Sequence, residues 1–224
     1  MAERAAHGFI ALDRLRAALR RPGVVWAHTS GWWAVPYPHT ITGRVGRYER
    51  WDPQRHTDAF VELCADHEVM RFLGGRMSTR AAAEVSDRIA DHWEIFGFGL
   101  WAAIDLAAGR VAGFTGSCKA AWHPRYAHDV EVGWRLARWS WGRGLATEGA
   151  ALALAPAFEH LSLSQLIAFV HPDNIRSRAV VDRLGMRRTG ETTDPRLRHP
   201  LEIFELRADE AAATAPGAPA ARTA

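Results

Sequence analysis

The sequence lacks the patterns on which disulfide-rich, metal-binding or membrane proteins depend. Its 224 residues include two cysteines, and Cys64 and Cys118 form no CxxC pair, so neither a disulfide framework nor a zinc site is predicted. The eleven histidines include no HExxH pair, so the sequence does not predict a metal site. No stretch reaches the roughly 18 apolar residues of a membrane span, and the N-terminus lacks a signal-peptide pattern. We therefore predict a cytoplasmic protein without a metal ion.

An excess of charge of one sign is also missing. The chain has 28 basic and 25 acidic residues, which gives a net charge of +3, and no run of five like charges occurs. Binding to nucleic acid or to a membrane surface by charge requires a stronger basic patch. We predict neither partner, and the oligomeric state stays open between a monomer and a homodimer.

Three zones of the chain differ in composition. Residues 1–42 hold one possible amphipathic helix and a tryptophan-rich segment, and we expect them to pack poorly or to be non-native, with translation starting nearer Val35 or Val45. The alternative is a genuine extension that covers a binding site or mediates dimer contacts. Residues 43–207 carry the pattern of one domain. Residues 208–224 are rich in alanine, proline and threonine, and we expect a disordered tail.

Strand-like and helix-like patterns alternate through residues 43–207 without a break. Periodicity, caps and glycine breaks predict the order β-α-α-β-β-β-α-β-α-β-β. The predicted strands are 44–51, 100–106, 111–121, 129–136, 166–170, 186–193 and 201–207, and the predicted helices are 58–65, 78–94, 144–161 and 174–184. The run 166–170 is continuously apolar, which is typical of a strand buried on both faces.

A glycine-rich turn, WSWGRGLATEG at 139–149, joins a predicted strand to a predicted helix. Gly142 and Gly144 allow the backbone to approach a ligand closely, and the free N–H groups of the first helical turn favour an anion. Arg143 and Arg138 are expected to add charge-assisted contacts to a phosphate. The turn lacks the GK[ST] ending of a Walker A loop. An ordinary strand-to-helix turn is the alternative.

A second segment, AFVHPDNIRSRAVVDRLGM at 168–186, runs from a buried strand into a helix. Pro172 stops strand pairing, and Asn174 can cap the helix. Alone, this segment indicates no more than an efficient strand, cap and helix.

The two segments together resemble the GNAT superfamily of N-acetyltransferases, and in particular its Rim-type branch of ribosomal-protein and related N-acetyltransferases. The family pattern reads E-[VI]-G-[YW]-x-L, then WGxGxATE, then HPDNxxSxxVxxxLGF. This chain carries EVGWRL at 131–136, WGRGLATE at 141–148 and HPDN at 171–174, followed by Ser177. The segment DHEVMRFL at 66–73 is similar to the branch's DPEVMRYL. The resemblance covers about residues 43–207.

This resemblance implies an α+β GNAT fold. The sheet is expected to be mixed and strongly twisted, with six to seven strands and helices on both faces, and to split between the parallel strands 129–136 and 166–170. Acetyl-CoA is expected in the split as a cosubstrate, with its pantetheine arm along the backbone of Trp134, Arg135 and Leu136. The residues expected to hold its pyrophosphate are Trp141, Gly142, Arg143, Gly144, Leu145, Ala146 and Thr147. Asn174 and Ser177 are expected to face the arm near the sulfur.

The reaction implied by the resemblance is acetylation of a primary amine by direct attack. An amine that is protonated at neutral pH needs a base, and Glu131 is our choice, with His171 and Asp129 in reserve. A strand-edge carboxylate paired with Arg135 is the alternative for Glu131. Many members place a tyrosine acid at the position of Val181, and Ser177 is the Rim-type substitute.

Two other functions remain open. A GNAT-fold protein that binds acetyl-CoA without turnover, as a sensor, is one, and a nucleotide-phosphate binder that uses the glycine-rich turn alone is the other. The acceptor is not readable from the sequence, and peptide N-termini, polyamines, aminoglycosides and amino acids all fit. Some of the tryptophans 93, 101, 122 and 134 are expected to line an acceptor pocket and at least half of them to be core.

Overall fold

The computed structural model describes residues 37–210, and within this range eight strands form one sheet. The strands are β1 Thr40–Thr42, β2 Gly46–Arg50, β3 Leu100–Asp105, β4 Arg110–Lys119, β5 Val130–Leu136, β6 Gln165–Val170, β7 Arg187–Thr193 and β8 Pro200–Arg207. The helices are α1 Pro53–Ala65, α2 His67–Met70, α3 Thr79–Phe96, α4 Leu145–Leu161 and α5 Ile175–Arg183. Short 3₁₀ turns lie at Pro124–Tyr126 and Arg138–Ser140.

The sheet has the predicted mixed topology. Its strand order is β1-β2-β3-β4-β5-β6-β8-β7, and all neighbours are antiparallel except β5 and β6. The parallel pair is the one predicted from the sequence, which confirms the α+β fold with a split mixed sheet. The sheet has one strand more than predicted, because β1 is too short to show alternation. Helix α1 begins five residues before the predicted start, since Asp52 caps Gln54 N–H and Pro53 occupies the first helical position.

Helices cover both faces of the sheet, as predicted. Phe114 of β4 packs against Phe60 of α1, with ring centroids 5.7 Å apart. The next residue, Thr115, points to the opposite face, because successive side chains alternate in a strand. There Gly149 brings α4 against the sheet so closely that an added Cβ would lie 2.1 Å from Thr115 Cγ2. Helix α5 lies on this second face, where Val181 shares a buried cluster with the sheet.

Residues 37–42, which precede the predicted domain boundary, pack against the sheet. Tyr37 is 5 % exposed and stacks on Trp101 with ring centroids 5.5 Å apart. The Trp101 indole N–H donates to the Pro38 carbonyl at 2.9 Å, and β1 pairs with β2. Residues 37–42 therefore belong to the packed domain, because the aromatic core needs Tyr37. At the other end, residues 208–210 begin a helical turn. The rest of the predicted extension and tail, 1–36 and 211–224, lies outside the described residues.

Several features are absent between residues 37 and 210. No helix there combines the length and the apolar character needed to cross a membrane. No group of three or more histidine, cysteine, aspartate or glutamate side chains in that range is arranged to hold a metal ion. Both cysteines are buried and free.

Candidate active site

Strands β5 and β6 are in register at a single pair of residues, Glu131 and Ile167. Beyond this pair the strands diverge toward their carboxyl ends, and a cavity of about 970 Å³ opens between them. Strand residues 132–136 line one side, and 168–171 line the other. The N-termini of α4 and α5 also open onto the cavity, which is large enough for an extended ligand.

The glycine-rich turn leads from β5 into α4 along the edge of this cavity. Gly142 and Gly144 have φ angles of 75° and 88°, which side-chain-bearing residues rarely adopt. An added Cβ would find no atom within 4 Å at Gly142, and only Val45 Cγ2 at 3.9 Å at Gly144. Gly144 is the N-cap of α4 and no side chain caps this helix. The N–H groups of its first turn are therefore left for an anion in the cavity.

Glu131 lies where the two strands part. The Trp122 indole N–H donates to Glu131 Oε2 at 2.9 Å, and the Cys118 thiol donates to Oε1 at 3.4 Å. Burial raises the pKa of Glu131 to about 7, although these hydrogen bonds and the charge of Arg196 act in the opposite direction. A carboxyl group with this pKa is suited to taking a proton near neutral pH.

The ion pair between Glu131 and Arg135, which was the alternative role considered for Glu131, does not form. The Arg135 guanidinium lies over the Phe60 and Phe114 rings, 5.5 and 5.4 Å from their centroids. It also contacts Cys64 Sγ at 3.5 Å. Arg135 is thus held by these rings and by Cys64, and no ion pair joins it to Glu131.

Side chains from α5 reach the cavity from the other wall. Asn174 caps α5 by accepting the Ser177 N–H at 3.2 Å. The Trp134 indole N–H donates to Ser177 Oγ at 3.3 Å, so a hydrogen bond from β5 reaches α5 across the split. Asn174, Ser177 and Trp134 all line the cavity. The sequence motifs at 131–136, 141–148 and 171–177 are thus brought to one place.

The sequence profile of the acetyltransferase (GNAT) domain matches residues 47–187. This chain belongs to the GNAT acetyltransferase family. Members of the family transfer an acetyl group from acetyl-CoA, and the chain is accordingly an acetyl-CoA-dependent N-acetyltransferase.

The chain is similar to a bacterial relative in sequence and to solved acetyltransferase structures in fold. The uncharacterized protein YkkB of Bacillus subtilis (strain 168) is 27% identical over 149 residues, which are 65% of this chain and 83% of YkkB. An acetyltransferase structure from Agrobacterium tumefaciens C58 has a TM-score of 0.65 and 22% identity, covering 81% of this chain and 99% of that one. RimJ of Mycobacterium smegmatis, solved with CoA-disulfide, has a TM-score of 0.60 and 17% identity, covering 76% and 88%. The two structures show a shared fold.

Two side chains predicted to contact phosphate, Arg143 and Arg138, form ion pairs elsewhere in this acetyltransferase. The Arg143 guanidinium pairs with Asp105 at 3.1 Å, and the Arg138 guanidinium pairs with Asp66 at 3.2 Å. These carboxylates hold both side chains away from the cavity, so only the backbone of Arg143 remains a candidate. The expected side-chain contacts from Arg143 and Arg138 are therefore not supported.

Several other arginines line the cavity instead, and two of them that the sequence analysis missed lie on α5. Arg176 lies over the Trp141 ring at 4.4 Å, and Arg183 follows it on α5. Their spacing of seven residues puts both on one face of the helix. The sequence signal that could have identified them is this seven-residue spacing of two arginines directly after the Asn174 cap. The Trp141 indole N–H in turn donates to the Leu136 carbonyl at 2.8 Å, which ties the turn to the end of β5.

Glu148, the last residue of the WGRGLATE motif, has a structural role in this acetyltransferase. Its carboxylate accepts the N–H groups of Arg44, Val45 and Gly46, with shortest distances of 2.6, 3.0 and 3.0 Å. It also accepts the Tyr48 hydroxyl at 3.0 Å. Glu148 thus fastens the β1–β2 loop to the first turn of α4.

The reserve bases differ in position. His171 lines the cavity between Phe72 and His199, with ring centroids 4.8 and 5.0 Å away. Burial and the neighbouring His199 lower the pKa of His171. Asp129 precedes β5 and does not line the cavity. The tryptophans divide evenly, since Trp93 and Trp101 are buried core while 122 and 134 line the cavity.

Proposed function

We propose that this acetyltransferase moves an acetyl group from acetyl-CoA to a primary amine, either a protein N-terminus or a small-molecule amine. The amine attacks directly in a ternary complex, with Glu131 as the general base. The observation that carries the proposal is the position of Glu131 at the point where β5 and β6 part, with a pKa of about 7.

Acetyl-CoA is assigned to the gap between the diverging strands. Its pantetheine arm pairs with the β5 backbone at Trp134 and Arg135. The Leu136 carbonyl already accepts the Trp141 indole, so Leu136 is expected to contribute less. The backbone amides of the turn support the pyrophosphate, which is drawn by the uncapped α4 N-terminus. The backbone positions proposed for the pyrophosphate are Trp141, Gly142, Arg143, Gly144, Leu145, Ala146 and Thr147.

A positive charge for the phosphates comes from Arg176. Its side chain lines the cavity and is held on the Trp141 ring at 4.4 Å. Guanidinium groups bind phosphate through charge-assisted hydrogen bonds. Arg176 therefore takes the role that the sequence analysis gave to the side chains of Arg143 and Arg138.

The chemistry requires a proton acceptor near the thioester carbon. Lysine amines have a pKa near roughly 10.4 and α-amino groups one near roughly 8, so the acceptor enters largely protonated. Glu131 takes the proton, and the neutral amine attacks the carbonyl carbon. A backbone N–H near Trp134 stabilises the oxyanion. The nitrogen loses its second proton to solvent as the C–S bond breaks, which leaves the amide and a thiolate. The Ser177 hydroxyl donates a hydrogen bond to this thiolate, which needs little help from an acid because a thiol has a pKa of about 8.5.

The experiment is a screen for thiol release from acetyl-CoA with candidate amines. The panel holds peptides with free N-termini, a polyamine, an aminoglycoside and amino acids, and each peptide is matched by its N-terminally blocked form. Release that needs a free primary amine supports the proposal. Acetyl-CoA binding without release for every amine contradicts it and favours the silent sensor.

A further inference from the structure

Side chains from two neighbouring segments hold the two carboxylate oxygens of Glu131. Cys118 is its cross-strand partner in the β4–β5 register, and the thiol donates to Oε1 at 3.4 Å. Trp122 lies in the turn between these strands, which is closed by the Ala120 N–H donating to the Asp129 carbonyl at 3.0 Å. From there the indole N–H donates to Oε2 at 2.9 Å. Each oxygen therefore has its own donor, and the two donors approach from different directions.

We infer that Trp122 and Cys118 are positioning residues for Glu131, which fix its carboxylate toward the cavity and favour its anionic form. The inference rests on the proposed role of Glu131 as the base. A glutamate side chain otherwise samples several rotamers, whereas one donor on each oxygen selects a single orientation.

The Trp122 ring is itself held in place. Phe169 of β6 contacts it edge-on with ring centroids 4.9 Å apart, and the Arg196 guanidinium lies over it at 5.0 Å. Trp122 also lines the cavity, so its indole lies at the same surface as Glu131. A donor that is packed on two sides keeps its direction when the cavity is empty or filled.

The thiol is a donor and not a second base. Burial and the nearby Glu131 carboxylate raise the pKa of Cys118 well above the ordinary value, so the thiol stays protonated at neutral pH. The thiol therefore remains available as a donor to Glu131 throughout the pH range in which Glu131 titrates.

Other ionisable groups around Glu131 come from the remaining elements. Arg196 lies in the β7–β8 connection and lowers the pKa of Glu131. His171 after β6, His199 before β8 and Glu68 of α2 line the same cavity. Trp122→Phe keeps an aromatic ring beneath Arg196 but a smaller one, whereas Cys118→Ala leaves Arg196 and the other charges untouched. A shift of the pH profile that appears in both variants is therefore assigned to the lost donor.

Replacing Trp122 with Phe removes the indole N–H and keeps an aromatic ring. The anion of Glu131 loses one hydrogen bond, so the ascending limb of kcat/KM against pH is expected to move upward by about one pH unit. The kcat at pH 7 falls, whereas the kcat at pH 9 recovers most of the wild-type value. A purely structural role would lower the rate equally at all pH values.

The matched control is Trp51→Phe. The Trp51 indole N–H also makes a 2.9 Å hydrogen bond, to Ser86 Oγ, but in the core and away from Glu131. We expect this variant to lose stability and to keep the wild-type pH limb. In parallel, the midpoint of Glu131 is measured by carbon NMR on protein labelled at glutamate, with Glu131→Gln identifying the resonance.

An upward move of both the limb and the resonance in Trp122→Phe, absent in Trp51→Phe, supports the inference. An unmoved resonance in a folded Trp122→Phe overturns it. If Trp122→Phe does not fold, Cys118→Ala and Cys118→Ser decide, since only the serine variant restores a donor and the wild-type midpoint. If Glu131→Gln keeps the wild-type ascending limb of kcat/KM against pH, Glu131 is not the base of the proposed function. The Glu131 resonance in Trp122→Phe still tests whether Trp122 positions the carboxylate.

Discussion

Replacing Glu148 with Ala is expected to destabilise the fold by about 3 kcal/mol, because its carboxylate gathers four donors. These are the N–H groups of three consecutive residues, 44 to 46, and the Tyr48 hydroxyl. A hydrogen bond to a charged group contributes about 1.5–3 kcal/mol, but neighbouring bonds are not additive. The loop amides regain water after the substitution, and the Tyr48 hydroxyl keeps the Leu145 carbonyl at 3.1 Å. These compensations hold the loss well below the sum of the four bonds.

The assay is thermal and urea unfolding of Glu148→Ala and Glu148→Gln beside the wild type. The alanine variant is expected to lose about 6–12 °C in Tm and a matching amount of the unfolding midpoint at constant slope. The glutamine variant keeps an acceptor oxygen and is expected to lose about half as much. Glu159→Ala is the control, since Glu159 is exposed on the same helix. A Glu148→Ala stability equal to that of Glu159→Ala would refute the reasoning.

Three further predictions concern the turn, the core and the chain start. Gly144→Val is expected to abolish acetyl-CoA binding, measured by calorimetry, because the branched side chain blocks the approach of the pyrophosphate to the backbone. The control Gly109→Val, also at positive φ in open space, is expected to keep the wild-type affinity. Equal affinities of the two variants would contradict the cofactor placement. Burial lowers the pKa of His92 to about 4 from an unfolded value of about 6.5, so stability is complete above pH 6.5 and falls by about 3 kcal/mol as the pH drops to 4. Urea unfolding of His92→Gln is expected to lack this loss, and the same loss as the wild type contradicts it. A chain starting at Tyr37 is expected to fold and stay active, whereas a chain starting at Val45 loses β1 and is expected to unfold. If the chain starting at Tyr37 folds but is inactive, the alternative of an extension that covers the acceptor site is favoured.

Local patterns were sufficient to predict most elements. Strand β5 was predicted at 129–136 and is found at 130–136. The prediction succeeded because the alternation of a half-buried strand is visible in the local sequence. Strand β1 was missed, since three residues cannot show a period and the strand exists through its pairing with β2. Tyr37 was assigned to the extension for a similar reason, because only the folded core reveals its aromatic neighbours.

The site was predictable as a set of motifs but not as a set of contacts. The motifs identify Glu131 and the glycine turn, and both lie at the cavity. The pairing of Arg143 with Asp105 joins residues far apart in sequence and is determined by the three-dimensional packing of the turn against β3. The donors to Glu131 likewise depend on the β4–β5 register, which places Cys118 opposite it. No local pattern encodes such a register.

The most direct test of the account is the turnover of Glu131→Gln with an accepted amine, with acetyl-CoA affinity measured on the same preparation. We expect kcat to fall by roughly 10²–10⁴-fold, the usual scale of general-base loss, and the affinity to stay near that of the wild type. A wild-type kcat in this variant would contradict the account and move the role of base to His171.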